Sequence, residues 1–244
     1  MTAPVAETAP AKSPWWLALR VFDEPGAVFK ELAARPRALV PIILLFVVTV
    51  GTAVGMPTRV LRAAAEHQFQ TLEQRRPGMI TPEMRARGLE QAGSVRSRVT
   101  IFVFGSAIPL VMLLIVAGVL LMVFNGLSQE PIRFREEWAI AVHAYVPQLL
   151  GGIATLVAVI LLDDAQFRFS LGLLFNPDTG GFTYRLANQF TLFGAWNIYL
   201  LALGNQIKTK GKGIGTPLAI VGGLWILANV LLAGLQSVLG GLAG

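Results

Sequence analysis

Residues 100–124 read TIFVFGSAIPLVMLLIVAGVLLMVF, a run without one Asp, Glu, Lys or Arg. As a helix rising about 1.5 Å per residue, it exceeds the roughly 30 Å of hydrocarbon in a bilayer. It is apolar all the way round, as fits a helix solvated by lipid and not the one-sided face of a soluble bundle. Four further apolar runs flank it, at about 38–56, 138–162, 186–203 and 217–239. The pattern predicts an all-α, polytopic membrane protein with about five transmembrane helices. Pro109 is expected to kink the second span, and Pro147 with Gly151-Gly152 to interrupt the third. Gly51-Thr-Ala-Val-Gly55 in the first span has the small-xxx-small spacing that lets helices approach closely.

Composition agrees. The chain is 54% hydrophobic and 14% charged, where soluble domains carry about a quarter charged residues. Its net charge of +6 comes with no basic stripe interleaved with aromatics, so nucleic acid is not an expected partner. Arg and Lys near span ends read instead as topology signals and headgroup contacts. There is no cysteine, which excludes thiolate catalysis and Cys-ligated metals.

The polar segments divide the rest. Residues 1–13 are Ala/Pro-rich and are expected to form a disordered tail. Segment 14–36 is amphipathic, with Trp15, Trp16, Leu19 and Phe22 on one helical face. It reads as an interfacial segment anchored in the headgroups by Trp15 and Trp16, or as a helix packed on the end of the bundle. Asp23 is the expected cap of its second helix, with Pro25 in the first turn and Val28, Phe29 and Leu32 on the apolar side. Residues 37–244 then form one five-span membrane domain. Within it, residues 57–98 read as an external helical hairpin, broken at Arg76-Pro77-Gly78 and restarted by Thr81-Pro82-Glu83. The connection at 163–187 has turn chemistry at Asn176-Pro177-Asp178 and Gly180-Gly181.

Charge counting does not orient the chain: Lys and Arg number ten on each side of the membrane. All five lysines, however, fall on the side of the N-terminus, which tips the expectation towards a cytoplasmic N-terminus.

Val21-Phe-Asp-Glu-Pro-Gly-Ala-Val-Phe29, followed by Leu32, Pro36 and Pro41, resembles the approach to the first span in the Yip-type (Ypt/Rab-interacting) membrane family. Glu137-Trp138-Ala139 through His143-Ala-Tyr145-Val-Pro147 is similar to the start of that family's third span. Phe193-Gly-Ala-Trp196-Asn197 through Gly204 is similar to its fourth, and Lys208–Lys212 to its basic connection into the fifth. The resemblance implies five spans, a cytoplasmic N-terminus and an outward C-terminus. Eukaryotic members bind Rab-type GTPases in vesicle transport, a role that does not transfer to a bacterium. The Ala/Arg/Gly-rich composition and the long arginine-rich hairpin resemble bacterial relatives, which points to a bacterial inner membrane.

Polar residues inside spans are the first candidates for function, because hydrocarbon makes them costly. These are His143, Gln148, Asn197 and Asn229, with no acidic or basic residue placed at mid-span. The default reading is interhelical hydrogen-bond glue, worth roughly 0.6–2 kcal/mol each; the sharper one is a ligand-lined cleft. Ser106 and His143 lack the turn that frames a hydrolase nucleophile. Glu136-Glu137 resembles the glutamate pair of prenyl-protein proteases, but Ala141 stands where those have Arg, and the later histidines are missing. With only His67 and His143, no metal ligand set exists, and no cofactor is expected. The hairpin arginines are read as a salt-bridged face, Arg62 with Glu66 for example. The sharper reading is headgroup binding by Arg59, Arg62, Arg96 and Arg98, since guanidinium matches phosphate in a fork. The function so read is a non-enzymatic scaffold or adaptor whose partners are membrane lipids and other membrane proteins, or a second copy of itself. The alternative is a small permease-like transport component with a cleft between spans three, four and five.

Overall fold

A computed structural model of the protein describes residues 13–128, 130–164, 167–175, 182–210 and 213–242, and the side chains of all of these except 75 and 235–242. The expected tail apart from Ser13, the turn residues Asn176, Pro177, Asp178, Gly180 and Gly181, and Lys12 and Lys212 lie outside the described residues. Among the described residues, regular structure is helical apart from one antiparallel bridge between Ser170 and Thr191.

The N-terminal segment makes two short helices, α1 (Pro14–Leu19) and α2 (Pro25–Ala34). Ser13 caps α1 by accepting from the Trp16 N–H. The expected cap of α2, Asp23, does not take that role. Glu24 holds the cap position without a side-chain capping bond, its carboxylate accepting from the Arg20 guanidinium instead, and Asp23 pairs with Arg20 at 2.7 Å. The segment has two apolar faces. Leu17, Ala18, Val21, Val28, Phe29 and Leu32 are buried against the bundle, whereas Trp15, Leu19 and Phe22 stay exposed. The end-packed arrangement thus accounts for the first face, and only the second is left for headgroups.

Six helices make the bundle among the described residues: α3 (Leu39–Gly55), α6 (Val95–Asn125), the consecutive pair α7 (Phe134–Ala144) and α8 (Val146–Leu162), α10 (Leu192–Lys208) and α11 (Gly215–Leu242). Among the described residues, three stretches are long and apolar enough to cross a membrane: Val95–Asn125, Phe134–Leu162 and Gly215–Gly234. A fourth is reached only by joining α3 to α4 (Thr58–Arg75) across an 87° bend. Helices α3 and α10 have 17 residues each, about 25 Å, a few ångströms short of the hydrocarbon thickness.

Helix ends fall where caps sit, not where hydropathy changes. Ser94 caps α6, so Arg96 and Arg98 belong to the foot of that helix and not to the hairpin before it. Arg133 and Glu136 form a capping box that starts α7 ahead of Trp138. The fourth run does not begin a long helix at Leu186. That residue lies in the short α9 (Phe182–Ala187), and α10 starts after Thr191, whose hydroxyl accepts from the Gly194 N–H at 2.9 Å. Between them, Asn188 and Gln189 break the apolar run.

Helices α4 and α5 (Pro82–Gln91) lie side by side, with Thr81 capping α5 as expected. Glu66 does not pair with Arg62; it takes the guanidinium of Arg85 from α5. Asp163 ends α8 in the left-handed region at φ 53°, which Asp tolerates better than most residues. Its carboxylate pairs with Arg59 at 3.0 Å.

Candidate functional site

Two hydrogen bonds between helices, and two close approaches at glycine, lie along the line where α7 and α8 meet α10. The α7–α8 pair and α10 run antiparallel in a register fixed at several levels. Nearest the N-terminal segment, the Asn205 amide donates to Glu137 Oε1 at 3.0 Å and to the Leu201 carbonyl at 3.0 Å. One turn further along α7, Gly204 lets Ile140 and Phe29 approach so closely that any Cβ there meets both side chains. Next, the Asn197 amide donates to the Ala144 carbonyl at 2.7 Å. Then Gly151 receives the ring of Phe193, leaving no room for a Cβ.

The Asn197 contact has a local cause. Pro147 has no N–H, and α7 breaks from α8 at Tyr145. The Gln148 N–H turns to the Tyr145 carbonyl at 2.9 Å, the tighter spacing of a broken turn, and so leaves Ala144 without its usual partner. Asn197 supplies the missing donor from the facing helix.

Glu137 is the residue that sequence reasoning missed. It and Asn205 are fully buried, at 0% exposure. Sequence placed the span from Trp138, and read Glu137 as the edge of a family-like span start and, with Glu136, as a failed protease motif, not as a buried polar group. In the structure the capping box draws both glutamates into α7, on different faces. Glu136 turns outward to Lys208 at 2.9 Å; Glu137 turns inward. The signal was present in spacing: Glu137, Ala141 and Ala144 recur at helical period, a small-residue stripe typical of a packed face. Glu137 Oε2 and Asn205 Oδ1 have no hydrogen-bond partner among the described residues. Outside the bundle, Lys210 donates to Glu130 at 2.8 Å. That hydrogen bond, followed by the ammonium charge, holds the exposed Glu130 carboxyl below its usual range.

The four expected intramembrane residues do not form one seam. His143 is buried and donates from Nδ1 to the Ala139 carbonyl at 2.9 Å, a bond that requires the proton on Nδ1 and does not involve Ser106. Pro147 and Gly151 on the same face are buried with it, so this face is internal. Gln148 and Asn229 do come together, on a cleft of about 570 Å³ bounded by α3, α8, α10, α11 and the connection before α10. Thr155, Arg168 and Asn188 add to its polar wall. The Asn229 amide donates within its own helix, to Trp225 at 2.8 Å.

The proposed headgroup arginines separate likewise. Arg98 donates to the carbonyls of Ala53, Val54 and Met56 at 2.8–3.0 Å, closing the end of α3. Arg59 is paired with Asp163. Arg62 and Arg96 have no ion pair among the described residues. Trp16 is packed against the core and carries Arg20 6.0 Å from its ring centroid, while Trp15 is exposed.

The family model of the Yip1 domain matches residues 19–210, from the end of α1 to just beyond α10. The chain belongs to the Yip1 domain family. No curated protein and no solved structure matches it. The Yip1 match covers the whole α7–α10 register and leaves α11 outside, and with the apolar helices it makes this an integral, multi-pass membrane protein.

Asn205→Leu is predicted to destabilise the detergent-solubilised protein by about 1–3 kcal/mol, because the buried Glu137 loses its interhelical donor. Joining it with Glu137→Leu is predicted to recover most of that loss, since removing both polar partners is often close to neutral. Thermal unfolding of the single and double variants checks this; additive losses would show that the two residues do not act as a pair.

Proposed function

We propose that this Yip1-family protein is a non-enzymatic scaffold or adaptor that organises lipids and partner membrane proteins, or copies of itself. The observation that carries the reading is where the intramembrane polar atoms go. Asn197, Asn205, Asn229 and His143 all donate to carbonyls within the chain, and Asn205 to Glu137 as well. The two bonds that cross between helices, Asn197 to Ala144 and Asn205 to Glu137, hold them in register, and the others are spent within their own helices. Groups so engaged do not line a path from one end of the bundle to the other. Below the cleft, the centre is filled by Ile140, Ala141, Ala144, Leu200 and Leu201. The outer face of α6 exposes Phe104, Ile108, Met112, Ile115 and Met122, a surface suited to lipid tails or a neighbouring helix.

The finer topology belongs to the same proposal: five crossings, the short α3 and α10 included, with the N-terminus in the cytoplasm of a bacterium. Segment 14–36 lies at the interface with Trp15 towards the headgroups, and the hairpin of α4 and α5 stands outside the bilayer. Headgroup binding then falls mainly to Arg62 and Arg96, because Arg59 and Arg98 are engaged within the protein. The second reading, a permease-like component, is favoured by the cleft that Gln148 and Asn229 share, and it predicts a different outcome.

Proteoliposomes holding the purified chain are expected to pass small solutes no faster than empty vesicles, while pull-down from native membrane recovers a reproducible set of membrane proteins. Flux abolished by Gln148→Leu would replace the scaffold with transport. Because the chain has no cysteine, single substitutions report topology directly. An impermeant maleimide added to intact cells should label Gly78→Cys and spare Ser128→Cys; the reverse pattern means the opposite orientation. Arg62→Gln with Arg96→Gln should lower the anionic lipid that co-purifies with the chain, and unchanged lipid content would remove the headgroup role.

A further inference from the structure

The cleft does not stand alone. A second hollow of about 620 Å³, almost wholly apolar, adjoins it and is lined by Leu171, Leu173, Phe190 and Leu192 among others. The two share Phe169, Thr191 and Phe193 as a common wall. They therefore make one depression with a polar compartment and an apolar one.

Its level in the bundle follows from the helix register. The first turn of α10 lies opposite Gly151, yet α8 continues to Leu162, roughly 16 Å further at 1.5 Å per residue. The connection before α10 must come back down beside α8 to reach Thr191. It thereby places non-helical backbone at Asn188–Phe190 beside the upper half of a membrane helix. Irregular backbone at such a level is tolerated where it is covered by protein or lines a polar cavity, and this segment lines one.

Among the described residues, Arg168 is the one charged residue on the wall of the polar compartment. Neither the Arg168 guanidinium nor the Gln148 side-chain amide makes a side-chain hydrogen bond or ion pair to another described residue, and Asn188 spends Oδ1 on the Ser170 hydroxyl, leaving its NH₂. The compartment therefore calls for an acceptor-rich, negatively charged group. The apolar compartment carries exposed Leu171, Leu173 and Leu192, and in a bilayer such a groove is filled by hydrocarbon chains. We infer that the two compartments form one binding site for a single anionic phospholipid, with its phosphate on Arg168 among the cleft amides and an acyl chain along the groove. Guanidinium suits this role because it meets phosphate in a two-point fork. The site requires only that the chain be embedded in a membrane. It stands apart from the scaffold reading and from the arginines of α4 and α6.

The test uses the full chain, purified in detergent and stripped of lipid, with native mass spectrometry reading bound ligand during titration. Phosphatidylglycerol is expected to bind one molecule per chain, about tenfold tighter than phosphatidylcholine, the effect of one charge-assisted contact. Arg168→Gln should bring the two lipids level. Leu171→Gln should weaken both, as should Ala195→Trp by filling the groove; if the latter variant fails to fold, Leu171→Gln alone decides the acyl-chain contact. The Arg62→Gln, Arg96→Gln variant should retain the phosphatidylglycerol preference, which separates this site from headgroup binding on the hairpin. Three results would overturn the inference: equal binding of the two lipids, a preference that survives Arg168→Gln, or inorganic phosphate binding as tightly as phosphatidylglycerol. The last would mark an anion site without an acyl-chain contact.

Discussion

The structure depends on the interlock of α7 and α8 with α10. In a medium without water, a polar group on a helix has few places to go, and each one that finds a partner on a neighbouring helix fixes the level at which the two meet. Here Glu137 with Asn205 sets one level and Asn197 with the Ala144 carbonyl another. Gly204 and Gly151 bring the backbones close where bulkier residues would hold them apart. The pairs advance along α7 and α8 as they retreat along α10. Sliding either helix by one turn breaks both hydrogen bonds together and drives Ile140 and Phe193 away from the glycines that receive them. A proline break inside a span is ordinarily a weakness, yet the carbonyl it frees is what Asn197 holds.

That register explains the short α10. With Asn205 opposite Glu137, its N-terminus reaches only the level of Gly151, and the chain between α8 and α10 must descend beside α8 to meet it. The 3-10 turn at Leu171–Leu174, the short α9 and the bridge between Ser170 and Thr191 complete that side of the bundle. Their irregular backbone needs polar company. Gln148, Asn229 and Thr155 lie on the same cleft, which is why polar side chains concentrate at this end and not along the whole interface. A polar cleft here is thus a consequence of how the helices are held in register at the other end.

Much of this was legible in the sequence. The apolar runs, the Pro147 break, the Thr81 cap and the family likeness all follow from composition or local pattern, because solvation by lipid is a property of a whole segment. What was not legible depends on distant parts of the chain. Arg98 looks like a headgroup residue until α3 ends beside it and presents the carbonyls of Ala53, Val54 and Met56. Arg62 looks like the partner of Glu66 until α5 brings Arg85. Glu137 looks like a residue at a membrane boundary until α1 and α2 fold over that end of the bundle and bury it. The helix of the fourth apolar run begins later than the run itself for a more local reason: Leu186 and Ala187 are apolar enough to extend the run, but Thr191 offers the cap and Asn188-Gln189 the break.

The two ends of the bundle are therefore unlike in kind. At one, α2 is packed into α7 and α10, Phe29 sits against Gly204, and Lys208 with Glu136 closes the rim, so a buried carboxyl can persist with one strong donor. At the other, α8 overhangs α10 and a descending connection leaves two adjoining hollows. A protein that moved solute across the membrane would need both ends to open in turn. Opening the first would expose Glu137 and separate it from Asn205, at the same level that fixes the register of α10. Opening the second needs no such rupture. The architecture places adaptability on one side only, which suits a molecule that holds lipid or a neighbour better than one that alternates access.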